Sequence, residues 1–329
     1  MGWRLSSHPP IRAIEPAAAV PWTLDDMPHL RDRVFVVTGA NGGLGFETTR
    51  GLAHAGARVI MACRNLDKAR RAAQRIEHEA PAGSVEPWAL DLASLESIEA
   101  FADRFEREHD ALHGLCNNAG VMALPKGETE DGFELQLGTN HLGHFALTGR
   151  LLSTLMQTDG SRVVTVSSLM HRVGRMRWDD LHGDRRYQSW EAYGQSKLAN
   201  LLFSFELQRR LEAAKARTLS AASHPGYADT ELALEGPRQR GFSLGVRFMS
   251  FAARLAAQSA AEGALPSLYA LVADDVRGGE FFGPAGLLQL RGGPTRVEPA
   301  GHALDPEAAA ELWARSQRLT GVRYDALSN

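Results

Sequence analysis

Apolar residues fall along this chain in two alternating textures. Short runs in which most positions are apolar or β-branched, Val34–Val37, Arg58–Cys63, Val85–Leu90, Leu112–Cys116 and Arg162–Ser167, predict strands buried on both faces. Between them lie longer segments with apolar residues three and four apart, Asp67–Glu79, Ser94–Glu108 and Phe133–Met156, which predict helices with one buried stripe. Strand, helix and strand in this rhythm predict an α/β chain with a doubly wound parallel sheet, covered by helices on both faces. No internal repeat or heptad pattern interrupts the order.

The ends of the pattern differ from its middle. Up to about residue 30 the chain holds Pro9, Pro10, Pro16, Pro21 and Pro28 among scattered alanines, which predicts an irregular extension over 1–30 and a single folded domain over 31–329. Gly236–Ala264 reads as helical, with Arg238, Arg240, Arg247 and Arg254 set among Phe242, Leu244, Phe248, Met249 and Phe251. That mixture suits either a flap over a site for a lipophilic substrate or an amphipathic surface helix, because core packing of the same residues gives the same pattern.

Bulk properties remove several classes of function. A chain of 329 residues, 44% of them hydrophobic, can bury a sizeable core. A net charge of −3 gives no electrostatic footprint for nucleic acid or for an anionic membrane. No uncharged run reaches the ~18 residues of a spanning helix, and the N-terminus lacks an apolar signal region, so a soluble, cytoplasmic protein is expected. Cys63 and Cys116 each close an apolar run with no metal-ligand spacing, which predicts free thiols, no metal and a reducing compartment.

Candidate chemistry starts directly after the first predicted strand, at Thr38-Gly39-Ala40-Asn41-Gly42-Gly43-Leu44-Gly45, with a helical pattern following. Gly39, Gly43 and Gly45 allow a sharp turn and a close backbone approach to a pyrophosphate, held by the unpaired N–H groups of the helix start. At the end of the second strand, dinucleotide sites place an acid for NAD(H) or an Arg for the 2′-phosphate of NADP(H). This chain has Arg64 there and no carboxylate beside it; Asp67 reads as decoration of the following helix, so NADP(H) is favoured over NAD(H).

Tyr193 and Lys197 stand four apart in Tyr-Gly-Gln-Ser-Lys, on one face if the segment is helical. Tyr titrates near ~10 and Lys near ~10.4, so neither alone is poised for proton transfer. An ammonium at roughly 4 Å, at an effective dielectric near 20, supplies about 4 kcal/mol, enough to lower the phenol by about three pKa units. With 5 Tyr in the chain, chance gives this spacing about once in sixteen such chains, so the pair needs company.

Taken together, T-G-x-x-x-G-x-G at Thr38–Gly45, N-N-A-G at Asn117–Gly120 and Y-x-x-x-K at Tyr193–Lys197 resemble the short-chain dehydrogenase/reductase family, over a span from about Arg31 into the C-terminal region. The resemblance implies a Rossmann fold in which Asn118, Ala119 and Gly120 support the adenosine half of the cofactor, with Asp91 and Leu92 at the adenine. It also implies that Asn140 relays a proton through water to Lys197. Ser168, the second of the pair Ser167-Ser168, would bind the substrate oxygen, although either serine could fill the place. Pro225, Gly226 and Thr230 would frame the nicotinamide, with Thr230 at its carboxamide, and His224 reads as structural. Gly138 and Gly143 flank Asn140 and point to close packing or a bend.

The long insert between Ser168 and Tyr193, with Trp178-Asp-Asp-Leu181, is similar to the branch that holds retinol dehydrogenases and protochlorophyllide reductase. Tyr227 stands where the light-driven reductase has Cys, and the leader is too polar for the anchor of a membrane-bound retinol dehydrogenase. The resemblance implies an NADP(H)-dependent oxidoreductase for a carbonyl or alcohol substrate, with Tyr193 as general acid/base, Lys197 lowering its pKa, and Ser168 and Asn140 in support. Two other classes share such a fold: a non-catalytic NADP(H)-binding redox sensor, and an epimerase or dehydratase. Finally, Leu198, Leu201, Leu202, Phe203, Phe205 and Leu207 wrap the helix after Tyr193, and a helix apolar all round predicts burial on both sides and a homo-oligomer.

Overall fold

The computed structural model describes residues 22–79, 82–227 and 258–327. The apolar runs become β1 (Val34–Thr38), β2 (Arg58–Cys63), β3 (Ser84–Ala89), β4 (Gly114–Asn117) and β5 (Arg162–Val166). Three further strands, β6 (Leu219–Ser223), β7 (Phe281–Pro284) and β8 (Pro294–Arg296), complete one sheet in the order β3-β2-β1-β4-β5-β6-β7-β8. All neighbours pair in parallel except β7 with β8. The doubly wound sheet is therefore as expected.

Strand composition follows position. β1 and β2 are buried along nearly their whole length, whereas β3 alternates buried and exposed residues because it is an edge. Pro87 sits within β3, where a missing N–H faces no further strand. β6 reads Leu-Ser-Ala-Ala-Ser and carries no β-branched residue; its small side chains let helices approach, with Ser220 donating to the Ser204 carbonyl at 2.9 Å and Ser223 bonded to Ser267 at 2.9 Å.

Successive residues of the strands feed opposite layers. Val37, Val59 and Met61 meet Leu52 of α1 (Gly43–His54), Ile76 of α2 (Leu66–Glu79) and Leu268 of α7 (Ala260–Val272). Val36 and Ile60 face the other way, toward Phe101 of α3 (Leu95–Glu108), Phe145 of α5 (Gly143–Gln157) and Phe203 of α6 (Ser189–Ala213). The helix expected over Phe133–Met156 is broken in kind: a short α4 (Leu135–Leu137) passes through a π-helical turn, Gly138–Leu142, into α5. A side chain at Gly138 would collide with Thr129, and one at Gly143 with the Leu92 backbone, so the glycines serve both the bend and the close packing.

One expectation changes. Part of the stretch read as a leader is packed: Thr23 and Asp26 form a reciprocal cap, Trp22 lies edge-on to Tyr269 with ring centroids 5.4 Å apart, and Leu30 is 1% exposed. The apolar circumference of α6, from which association is expected, is covered within the chain. α8 (Pro306–Thr320) sets Ala309, Leu312 and Trp313 against it, and Tyr324 then closes over Trp313 and donates to the Phe145 carbonyl at 2.7 Å. The segment Gly236–Ala264 lies mostly outside the described residues; only its last part is seen, as the start of α7. Among the described residues no helix is long and apolar enough to cross a membrane.

Candidate active site

β1 and β4 are neighbours in the sheet although two strands separate them in sequence, so the chain leaves them toward opposite edges and opens a crevice beyond their C-terminal ends. The residues that the sequence reading selects gather there. Gly39 (φ 66°) and Gly43 (φ 53°) hold left-handed backbone, a conformation open to glycine. A methyl at Gly45 would stand 2.5 Å from Asn118 Nδ2 and closer still to the Gly39 carbonyl oxygen.

The start of α1 is open. Its N-cap, Gly42, makes no side-chain cap bond and has nothing within 4 Å of where a Cβ would be, and Asn41 and Leu44 flank it half-buried. A helix start with no side-chain cap leaves its first N–H groups for an outside acceptor, the arrangement that an anionic phosphate requires. Gly120 is closely packed by contrast: a Cβ there would lie 3.1 Å from Asn140 Oδ1 and 3.4 Å from Lys197 Nζ. The open start of α1 fits the phosphates of a dinucleotide. Gly45→Ala is expected to push the turn away from Gly39 and Asn118, lowering stability by about 1–3 kcal/mol and weakening dinucleotide binding. Thermal melting and a fluorescence titration with NADPH check this; a variant unchanged in both would show that the turn has slack.

Thr38 ties the turn to the end of β4. Its hydroxyl oxygen accepts from the Asn118 and Ala119 N–H groups, both at 2.9 Å, and Asn118 Nδ2 donates to the Thr38 carbonyl at 2.7 Å. At the adenosine end, Arg64 is 71% exposed and its Nε lies 4.0 Å from Asp91 Oδ2. Asp91 also accepts from Ala93 N–H, Leu92 is buried, and Asp67 pairs with Arg70 on α2 rather than facing the crevice.

At the other end, the two serines separate. Ser167 is buried and donates to the Lys197 carbonyl at 2.7 Å, which fixes α6 against β5. Ser168 caps a short 3-10 helix, Leu169–Arg172, its hydroxyl accepting from Met170 N–H at 3.3 Å, and its side chain is the one that favours the Tyr193 phenolate. Asn140 lies in the π turn; its Oδ1 accepts from Val121 N–H at 2.7 Å, and its Nδ2 donates to the Val121 carbonyl and to Ser196 Oγ, both at 2.9 Å.

The Tyr193 and Lys197 geometry corrects the electrostatic expectation. The ammonium donates to the Val166 carbonyl at 3.1 Å and lies 5.8 Å from the Tyr193 ring centroid. Burial pushes Tyr193 up to about 12, against a smaller lowering by the Ser168 side chain, and pulls Lys197 down to about 8. With both groups at most 5% exposed, loss of water outweighs an ammonium aimed at a carbonyl. In this state the phenol is protonated at neutral pH.

Pro225 and Gly226 follow β6 beside the crevice, with Gly226 at φ 67° and Gln258 Nε2 donating to the Pro225 carbonyl. His224 is fully buried, accepting from Gly226 N–H at 3.1 Å and meeting Gln289 at 3.1 Å, consistent with a structural place. Thr230 lies outside the described residues. Sequence reasoning missed Thr38 as a hub, although it stood inside the glycine pattern, and missed His144, whose signal is its four-residue spacing from Asn140. It also missed Gln195, which accepts from Arg177 N–H and donates to the Leu181 carbonyl, tying the long insert to α6 two residues beyond Tyr193.

Comparison with known proteins follows the same outline. A family profile described as short chain dehydrogenase matches residues 33–240. Retinol dehydrogenase 12 of Mus musculus is 39% identical over 295 residues, covering 89% of this chain and 88% of that protein. Polyprenol dehydrogenase of Mus musculus is 41% identical over 302 residues, covering 90% and 86%. A crystal structure of an uncharacterised protein from Mycobacterium paratuberculosis superposes with a TM-score of 0.76 at 44% identity, covering 92% of this chain and 99% of that one.

Proposed function

The chain belongs to the short-chain dehydrogenase/reductase family, and from that membership we infer an NADP(H)-dependent oxidoreductase that interconverts a lipophilic carbonyl compound and its alcohol. The observation that carries this reading is the buried pair of Tyr193 and Lys197 on one face of α6, the ammonium 5.8 Å from the phenol ring. When bound, the nicotinamide supplies or removes the hydride. Ser168 holds the substrate oxygen, Tyr193 gives it a proton, and Lys197 and Asn140 restore that proton from solvent. A phenol protonated at neutral pH suits the reductive direction, in which the first demand on it is to donate.

Lipophilicity of the substrate is supported from two sides. Val173, Trp190 and Tyr227 are 69%, 46% and 44% exposed close to Ser168, Tyr193 and Gly226, and Trp190 stands edge-on to Tyr193 at 6.2 Å. The matched relatives named for retinol and for polyprenol point the same way.

NADP(H) is supported by Arg64 at the tip of β2, mostly exposed and with no acid on the adjoining residues. Arg64→Asp is expected to reverse the ratio of kcat/KM for NADPH over NADH, a change of at least about tenfold. An unchanged ratio in steady-state kinetics would take Arg64 out of cofactor choice. The reaction class is tested by NADPH oxidation across aldehydes, ketones, quinones and retinoids, with Tyr193→Phe as control. Activity on any class that is lost in the control supports the reading, whereas NADPH binding with no oxidation of any class favours a non-catalytic binding protein.

A further inference from the structure

His144, on the first turn of α5, is fully buried between the two halves of the site. Its Nδ1 lies 2.9 Å from the Asn140 main-chain carbonyl, and its Nε2 lies 2.9 Å from Thr38 Oγ1. The chemistry of its neighbours fixes where the proton sits. A carbonyl oxygen can only accept, so Nδ1 must carry the hydrogen. The Thr38 hydroxyl accepts from Asn118 and Ala119 N–H, so an Nε2–H would face an oxygen whose two lone pairs are taken, whereas its one hydrogen has Nε2 at 2.9 Å as a nearer acceptor than the Cys116 carbonyl at 3.2 Å. Nε2 is therefore the acceptor, and the imidazole is neutral. Burial, which lowers His144 to about 4, agrees.

One imidazole thus joins three segments. Thr38 ends β1 and holds the N-N-A-G strand end, while the Asn140 carbonyl belongs to the π turn, whose side-chain amide reaches toward Gly120 and Ser196. A π turn disturbs the regular helical ladder, and its peptide carbonyls keep a fixed direction only if something else holds them.

We propose that His144 is a positioning residue: through its Nδ1–H it holds the π turn that presents the Asn140 amide beside Gly120 and Lys197, and through Nε2 it ties that turn to the glycine-rich turn. This inference rests on the reading of Tyr193, Lys197 and Asn140 as the proton-transfer set.

Two measurements on the full chain test it. Long-range ¹H–¹⁵N spectra, with His144→Phe identifying the resonance, should show a neutral imidazole protonated at Nδ1 at pH 7; an Nε2–H tautomer or an imidazolium overturns the proposal. In kinetics, His144→Phe should lower kcat about tenfold while leaving KM for NADPH within about twofold. His144→Asn, whose Nδ2 occupies the place of Nδ1, should recover most of that loss, and His144→Gln, which imitates Nε2, should not. A Phe variant with native kcat, or a loss carried wholly by KM for NADPH, overturns the proposal. If His144→Phe does not fold, the Asn and Gln pair decides it, because equal kcat in both contradicts a role for Nδ1. Native turnover in Tyr193→Phe would instead remove the reading beneath it, and the tautomer measurement would still decide the bond.

Discussion

Replacement of Tyr193 by Phe should lower turnover by about a thousandfold or more while the Kd for NADPH stays within a few-fold. The substitution removes one oxygen from a side chain that is 5% exposed and leaves the ring, its edge contact with Trp190 and the packing of α6 in place. What is lost is the phenolic proton of the buried Tyr193, which on the proposed mechanism neutralises a developing alkoxide. Ser168 cannot substitute, since a free hydroxyl is a far weaker acid and its backbone is fixed as the cap of the following 3-10 helix. Single-turnover absorbance at 340 nm separates this from a binding defect. Retained turnover with normal NADPH affinity would remove Tyr193 from the chemistry.

Acid should unfold this protein well above the pH at which its carboxylates protonate. Burial holds His141, His144 and His224 at about 3, 4 and 3, against an ordinary value near 6.5. Their folded pKa values are depressed, so above 6.5 both states are neutral and stability is complete. As pH falls below 6.5 the unfolded chain takes up protons that the folded chain refuses, and stability drops until the folded pKa values are reached. Three such groups cost about 4 kcal/mol by pH 5.5, a large fraction of the total for a typical domain. Melting temperatures from pH 7.5 to 5 should therefore fall steeply below 6.5, and a flat profile would mean that water reaches these rings.

How far the sequence discloses this arrangement depends on whether a signal is local. β1, β2, β4 and β5 announce themselves because strands buried on both faces must be apolar nearly throughout, and β3 by the alternation of an edge strand. β6, β7 and β8 stay hidden: one is built of Ala and Ser that are strand-like only between the helices they admit, and the others are three or four residues long. The spacing of Gly39, Gly43 and Gly45 is legible since each glycine answers a local need, two for left-handed backbone and one for contact with Asn118. Choosing Ser168 over Ser167 is not local, because it depends on which hydroxyl α6 occupies. The poise of Tyr193 and Lys197 misleads for a related reason: a charge four residues away is visible in sequence, whereas the desolvation that outweighs it belongs to the assembled core. Coverage of α6 by α8 is equally invisible, being a contact between segments about a hundred residues apart.

That last contact has a consequence for synthesis. Helix α6 ends at Ala213, and the helix that shields it begins only at Pro306. At ordinary translation rates of about 5–20 residues per second, the apolar side of α6 is finished roughly 5–20 seconds before its cover exists. During that interval the nascent chain carries a sticky surface that chaperones can recognise and that other nascent chains can join. Messages truncated before the last helix should accordingly yield aggregates rather than a smaller enzyme, and slow decoding late in the message should depress the yield of folded protein more than slow decoding early in it.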